Sequence, residues 1–378
     1  MCLVEPCATH AEVLFPLIEL LRSDYDVHVI APRRLLDLDL LTTTRHLFTA
    51  WPLEKEYAAT RWKGFAGLVA KYRDIRRIVR EAPPDFILFN STYRRFERLL
   101  IALLLRRYPK GQIIHEFQHC LRWGGHWLYD RFDLNLVISE QVYEYVHGHH
   151  PEFAGLDYIL PIFFDGFLQA AGNGRHPHNG NGVVKLGVFG SIDAWRRNYR
   201  GLLDAVSATA APGTDPRYEI FLVGKAPSWL KEEVRERESA ALVRTFDDFV
   251  PFKQMFDLVN EVDLVLFLID SSVSNAQFYN RYKITGTSVL MKAFNKAAAC
   301  STEFLVDEIL AGRCFYYEGA DLQSLLASIN EGRLSSGDIA DRLRSSADPA
   351  GMGFAEQREK LAALVGQARR NRAKHSKR

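Results

Sequence analysis

Lys283, Thr285, Gly286, Thr287 and Ser288 stand directly before an apolar run of Val289, Leu290, Met291, Ala293 and Phe294. The run has the spacing of a helix packed on one side, which puts the cluster at that helix's N-terminus. A helix start leaves N–H groups unpaired and carries the positive end of the helix dipole, so it is an anion site. The hydroxyls add donors, Lys283 adds a full charge, and Gly286 lets a ligand come close to the backbone. The natural guest is a phosphate or diphosphate. A capped helix with a surface lysine accounts for the same residues.

At 378 residues the chain is long enough for two domains of ordinary size. A hydrophobic share of 47% with 25% charged residues is that of a soluble globular protein. A formal net charge of +2 gives no sign of a nucleic-acid binder. Cys2, Cys7, Cys120, Cys300 and Cys314 are scattered without a Cys-x-x-Cys pair or metal spacing, as in a reducing cytoplasm. No signal peptide is visible, and the apolar run Leu99–Leu105 is far short of a membrane span.

The elements that must position the cluster alternate between strand and helix. Cys2-Leu3-Val4 predicts a first strand. Thr9 and Glu12 have capping-box spacing for a helix that continues through Pro16, and Val27–Pro32 predicts a second strand. This opening is the start of a doubly wound sheet, without the Gly-x-Gly-x-x-Gly of a dinucleotide site. Residues 61–81 predict an amphipathic helix with Trp62, Phe65, Leu68, Val69, Tyr72, Ile75 and Val79 on its core face and a basic opposite side. That basic side could also meet anionic lipid. Further strands are expected at Phe86–Phe89, Gln112–Glu116, Leu134–Ile138 and Tyr158–Phe164.

Gly172–Gly182 is rich in Gly and Asn without periodicity and reads as a linker, with His176 and His178 solvated in it. A second strand–helix set follows, with strands at Val184–Phe189, Tyr218–Val223, Val243–Phe246, Leu264–Ile269, Ala297–Cys300 and Phe315–Tyr317 and a helix at Gln254–Val259. A helix from Phe354 to about Ala368 is expected to cross back to the first half. Residues 369–378, with six basic residues and no acid, read as a disordered tail. The divisions are 1–165, 166–182 as linker, 183–350, and 351–378 as crossing helix and basic tail.

Leu186-Gly-Val-Phe-Gly190 with Arg196-Arg197-Asn198, the step Val223-Gly224, the strand Val243-Arg-Thr-Phe246 with Phe249-Val250, and Asp263-Leu-Val-Leu-Phe267 occur in a telling order. With Lys283–Phe294 after them, the chain resembles the GT-B glycosyltransferases, above all the retaining group called family four. The resemblance implies two Rossmann-like domains facing across a cleft, acceptor domain first and nucleotide-sugar domain second. It departs at the family's Glu-x7-Glu. Lys292 stands where the second Glu would be and Ile284 where the first would be, which leaves the family's usual ribose contact and the retaining or inverting outcome open.

Under this resemblance the donor diphosphate falls to Gly190, Arg196, Arg197, Lys225, Lys283, Thr285, Gly286, Thr287 and Ser288. Preorganised cations and N–H groups would stabilise charge as the sugar–oxygen bond breaks. No metal and no cofactor is then required, and Asp37-Leu38-Asp39 reads as surface charge. The nucleotide base is expected against the Phe246–Val250 bend, beside Phe249. His10, in the first strand-to-helix turn, stands where some inverting GT-B enzymes hold a general base. His115 and Glu116 match the region where family four carries a His near the donor sugar. The implied enzyme transfers a sugar from a nucleotide-sugar to a glycan, lipid-linked or other hydroxyl acceptor, in the cytoplasm or peripherally at the inner face of an anionic membrane. A non-hydrolysing nucleotide-sugar 2-epimerase and a non-catalytic sugar-nucleotide or glycan binder remain alternatives.

Overall fold

The computed structural model describes the chain except residues 8–9, 54–60, 93–94, 123–124, 162–181, 211–214, 238, 275, 280, 307, 347–352 and 377–378. The predicted linker at 172–182 lies almost wholly outside the described residues. The chain divides into two compact units. The first joins Met1–Phe163, Arg281–Ile284 and Ala350–Arg378, and the second joins Phe164–Asn280 and Thr285–Pro349.

The first unit is built on a parallel sheet with strand order β3-β2-β1-β4-β5-β6-β7. Its strands are β1 (Cys2–Val4), β2 (His28–Pro32), β3 (Thr49–Leu53), β4 (Ile87–Phe89), β5 (Lys110–Ile113), β6 (Leu134–Val137) and β7 (Leu156–Tyr158). Strands covered on both faces become short continuous apolar runs, and β1 and β4 are wholly buried examples. β3 escapes sequence prediction because it contains Pro52, which a sheet tolerates at an edge, the position β3 occupies. β7 lies at Leu156–Tyr158, earlier than expected, and β5 ends at Ile113, so His115 and Glu116 follow the strand instead of closing it.

The helix Arg61–Glu81 buries Tyr72, Ile75, Ile78 and Val79 against Val4, Ile30, Ile87 and Phe89. Phe65, expected on that core face, is half exposed and meets Phe96 edge to face at 5.5 Å. The C-terminal helix Phe354–Ser376 returns to this unit and packs on the helix Ala11–Leu21, burying Leu361, Val365 and Ala368. Gln357 Oε1 accepts the Leu160 N–H at 2.9 Å. The expected disordered tail is therefore helical through Ser376. Arg369 pairs with Asp85 at 3.5 Å and Arg372 with Asp133 at 3.9 Å, contacts that local sequence does not show.

The second unit repeats the plan with strand order β10-β9-β8-β11-β12-β13, again parallel throughout. The strands are β8 (Val184–Phe189), β9 (Tyr218–Lys225), β10 (Val243–Phe246), β11 (Leu264–Leu266), β12 (Ala297–Ser301) and β13 (Cys314–Tyr317). Leu186, Val188, Ile220, Leu222, Leu264 and Leu266 share one core with Leu202, Leu203 and Val206 of the helix Tyr199–Thr209. In both sheets the strand order reverses beside the first strand. That switch point, at the carboxyl ends of β1 and β4 or of β8 and β11, is where open α/β sheets bind ligands.

Candidate functional site

At the carboxyl edge of the first sheet, Glu5 follows β1 and is fully buried. Its Oε1 accepts the Ser91 hydroxyl at 2.6 Å and the Cys7 N–H at 2.7 Å, while Oε2 accepts Asn90 Nδ2 at 2.8 Å. Asn90 and Ser91 follow β4, so the switch point itself assembles this group. Burial pushes the Glu5 carboxyl up to about 7, against the opposing effect of its hydrogen bonds and of His10.

His10 begins the helix Ala11–Leu21 with a left-handed backbone, φ 62°, uncommon for a residue with a side chain. Its Nδ1 lies 3.0 Å from Glu12 Oε1. Burial works against protonation of His10, but the Glu12 hydrogen bond and charge, with Glu5 and Glu116 adding, hold its pKa above the ordinary value. The sequence pairs Glu12 with Thr9 in a capping box. Thr9 lies outside the described residues, and the Glu12 carboxylate meets the imidazole.

His115 stacks on His10 with ring centroids 4.0 Å apart. Its Nε2 donates to the Asn90 carbonyl at 2.6 Å, an arrangement that fixes the tautomer with hydrogen on that nitrogen. Burial, with the neighbouring His10 adding, keeps His115 well below the usual imidazole range. Glu116 Oε2 is 2.8 Å from His119 Nε2 and Oε1 is 3.5 Å from Lys283 Nζ. The His119 hydrogen bond, offset in part by burial, and Lys283 bring the Glu116 carboxyl down to about 2. Lys283 thus belongs to the first unit. The Tyr282 carbonyl, accepting the Phe117 N–H at 2.8 Å, fastens Arg281–Ile284 there.

In the second unit the helix Gly286–Phe294 starts where the sequence puts it, with Thr285 as its cap. Thr285 Oγ1 accepts the Ser288 N–H at 3.0 Å and lies 3.0 Å from the Ser288 hydroxyl. Thr287 donates to the Phe189 carbonyl at 3.2 Å and accepts from Arg197 Nη2 at 2.9 Å. Helix geometry leaves the N–H groups of Gly286 and Thr287 without intrahelical acceptors. A side chain at Gly286 would point into open space.

Arg197 is buried and donates to the carbonyls of Ser191 at 3.0 Å and Phe189 at 2.7 Å, and to Tyr199 and Thr287. It ties the turn after β8 to the start of the helix Gly286–Phe294. Gly190 turns there with φ 103°, and Gly224 lies so close that an added Cβ would sit 2.2 Å from the Gly190 carbonyl. Arg196 covers Trp195 at 4.5 Å and reaches Asp193 at 3.7 Å. Lys225, the last residue of β9, is well exposed and 3.9 Å from Asp248, and Phe249 is 60% exposed beyond β10. The structure therefore brings together His10, His115, Glu116 and Lys283 in one unit, and Gly190, Arg197, Thr285, Thr287 and Ser288 in the other.

No protein-family model matches the chain, and no curated protein matches it in sequence. Solved structures do match. A structure of HepE from Anabaena with UDP and glucose is 14% identical, covers 97% of this chain and 99% of its own, and gives a TM-score of 0.64. The lipopolysaccharide outer core galactosyltransferase WaaB is 12% identical over 97% of this chain and 99% of its own, with a TM-score of 0.55. A UDP-N-acetylglucosamine 2-epimerase is 12% identical over 97% and 95%, with a TM-score of 0.57. The fold is GT-B-like. It is shared by nucleotide-sugar glycosyltransferases and 2-epimerases.

Sequence reasoning missed Glu5, Glu12 and Asn90 in the first unit. In the second it missed Asp270, which accepts Asn198 Nδ2 at 2.8 Å and the Ser272 N–H at 2.9 Å. The i, i+2 spacing of His10 and Glu12 is the one local signal among them. Among the described residues no group of three His, Cys, Asp or Glu side chains could hold a metal ion, and no helix is long and apolar enough to cross a membrane.

Proposed function

We propose that the chain is a nucleotide-sugar-dependent glycosyltransferase in which His10 is the general base. The observation that carries this reading is the His10–Glu12 pair at the carboxyl end of β1. A base must lose its proton near working pH and be held in one orientation, and a carboxylate on Nδ1 does both, leaving Nε2 for an acceptor hydroxyl. Direct attack by that hydroxyl inverts the anomeric carbon. His115, kept neutral, offers a polar ring that does not compete for the proton.

The donor's diphosphate is assigned to the start of the helix Gly286–Phe294, where Gly286 and Thr287 present N–H groups. Arg197 shapes that turn, and Lys225 and Phe249 are the exposed groups available to the nucleotide. Charge building on the departing diphosphate strengthens these contacts in the transition state. UDP and UDP-glucose in the HepE structures make a uridine nucleotide the first donor to try. A lipid-linked acceptor fits the exposed pair Phe65 and Phe96 and the arginine-rich side of the helix Arg61–Glu81.

The 2-epimerase reading gains from the three carboxylates Glu5, Glu12 and Glu116 gathered in the first unit. Each is engaged, however: Glu5 by three hydrogen bonds, Glu12 by His10, and Glu116 by His119 and Lys283. The imidazole of His10 is the better proton acceptor near neutral pH. A panel of nucleotide sugars assayed with and without glycan and lipid-linked acceptors tests the proposal. Acceptor-dependent release of nucleoside diphosphate with an inverted anomeric product supports it. Epimerised nucleotide sugar without acceptor, or binding without turnover, overturns it.

A further inference from the structure

The amino edge of the first sheet carries a second concentration of charge, away from the residues assigned to catalysis. Arg106 and Arg107 stand in the turn before Lys110 opens β5, and Arg369, Arg370 and Arg372 stand on the helix Phe354–Ser376. Together with Pro109 and Gly366 they line a cavity of about 960 Å³. His10, Asn90 and His115 follow the other ends of the same strands. Strands of three or four residues separate the two edges by roughly 10–13 Å.

The cavity is built rather than incidental. Arg372 donates to the Arg106 carbonyl, joining its two walls across 266 positions of sequence. Asp85 is 3.5 Å from Arg369 and Asp133 is 3.9 Å from Arg372. Among the described residues Arg106, Arg107 and Arg370 have no carboxylate at ion-pair distance. Gly366 sits inside the helix, where glycine costs about 1 kcal/mol of helix propensity. A Cβ in its place would lie 3.4 Å from Arg370 Nη1. Planar guanidinium groups suit phosphate oxygens, which they bind in pairs.

We propose that this cavity binds an anion carrying two or more phosphate groups, at a site separate from the donor site. The shared chemistry could come from a soluble polyphosphate ester or from phosphorylated lipid headgroups. The full-length protein is titrated calorimetrically with tripolyphosphate at physiological salt. The Arg107→Glu/Arg370→Glu variant should bind it at least tenfold more weakly. Gly366→Leu, which fills the cavity without changing charge and favours the helix, should weaken it comparably. Arg200→Glu/Arg235→Glu, matched in charge on the second unit, should bind as the wild type does.

A wild type that does not bind tripolyphosphate overturns the proposal. So does an equal loss in the matched variant, which would show net charge alone at work, or undiminished binding by Gly366→Leu. Flotation of the wild type and of Arg107→Glu/Arg370→Glu with cardiolipin vesicles, whose headgroup carries two phosphates, then identifies the source. Vesicle binding that Arg107→Glu/Arg370→Glu loses assigns the cavity to headgroups, and tripolyphosphate binding with vesicle binding absent or unchanged in that variant assigns it to a soluble ligand. None of these readouts depends on sugar transfer, so the site and the transferase reading fail separately.

Discussion

His10 and His115 lie ring on ring, with centroids 4.0 Å apart and planes inclined by 28°. Two imidazolium ions at that distance would repel strongly, so the pair holds one proton where isolated rings could hold two. The surroundings decide which ring takes it. Glu12 draws it to His10, while burial and the neighbouring His10 keep His115 neutral.

The first prediction concerns that proton. If neutral His10 is the base, kcat/KM rises with pH along a limb centred above the ordinary imidazole value. His10→Ala should lower turnover by about 10²- to 10⁴-fold with donor binding intact. Glu12→Gln removes the interaction that raises His10, so the limb should move to lower pH. A pH profile of Glu12→Gln superimposable on that of the wild type would remove Glu12 from the mechanism.

Lys283 carries the second. Its ammonium is buried and 3.5 Å from Glu116. If it also meets the donor's phosphates, Lys283→Ala removes one charge-assisted contact of about 1.5–3 kcal/mol. Nucleoside diphosphate affinity should fall roughly tenfold to a hundredfold, and affinity for the bare nucleoside should hold. Calorimetry with both ligands decides. Unchanged diphosphate affinity would leave Lys283 as a partner of Glu116 alone.

Arg197 separates positioning from contact. Its four hydrogen bonds hold the turn after β8 to Thr287, and a lysine cannot reproduce that fork. Arg197→Lys should therefore cost about 1.5–3 kcal/mol in denaturant unfolding, the range for losing a hydrogen bond made by a charged group. Donor affinity should fall with it. Weakened donor binding at wild-type stability would show instead that Arg197 touches the donor.

Much of the architecture was legible because parallel strands buried on both faces become unbroken apolar runs, as in β4 and β11. Pro52 hid β3, since its tolerance at an edge depends on a sheet order that local sequence does not carry. The start of the helix Gly286–Phe294 was legible from its hydroxyl cap, yet the partnership of Thr287 with Arg197 spans 90 positions. Glu5 was silent for the same reason: Ser91 is 86 positions away, and nothing near Glu5 marks it as buried. Glu12 has the spacing of a backbone cap, and a capping partner and an imidazole partner look alike in sequence.

Glu5 yields the last prediction. Burial raises its carboxyl from 4.5 to about 7 in the folded chain, whereas the unfolded chain ionises it near 4.5. Between these values the folded state holds the proton and the unfolded state does not. Folding then takes up a proton, so stability from this group falls as pH rises from about 4.5 to 7 and levels off above. The full difference is about 3 kcal/mol. Glu5→Gln removes the titration and keeps the shape. Its amide can donate to Asn90 Oδ1, a buried oxygen without a partner among the described residues, once the Asn90 amide turns over. Denaturant unfolding of both proteins at pH 4.5 and pH 8 should show the variant gaining about 3 kcal/mol relative to wild type between the two. Parallel pH dependence would mean that Glu5 stays ionised in the fold, its three donors outweighing its burial. His10 would then sit above a permanent negative charge.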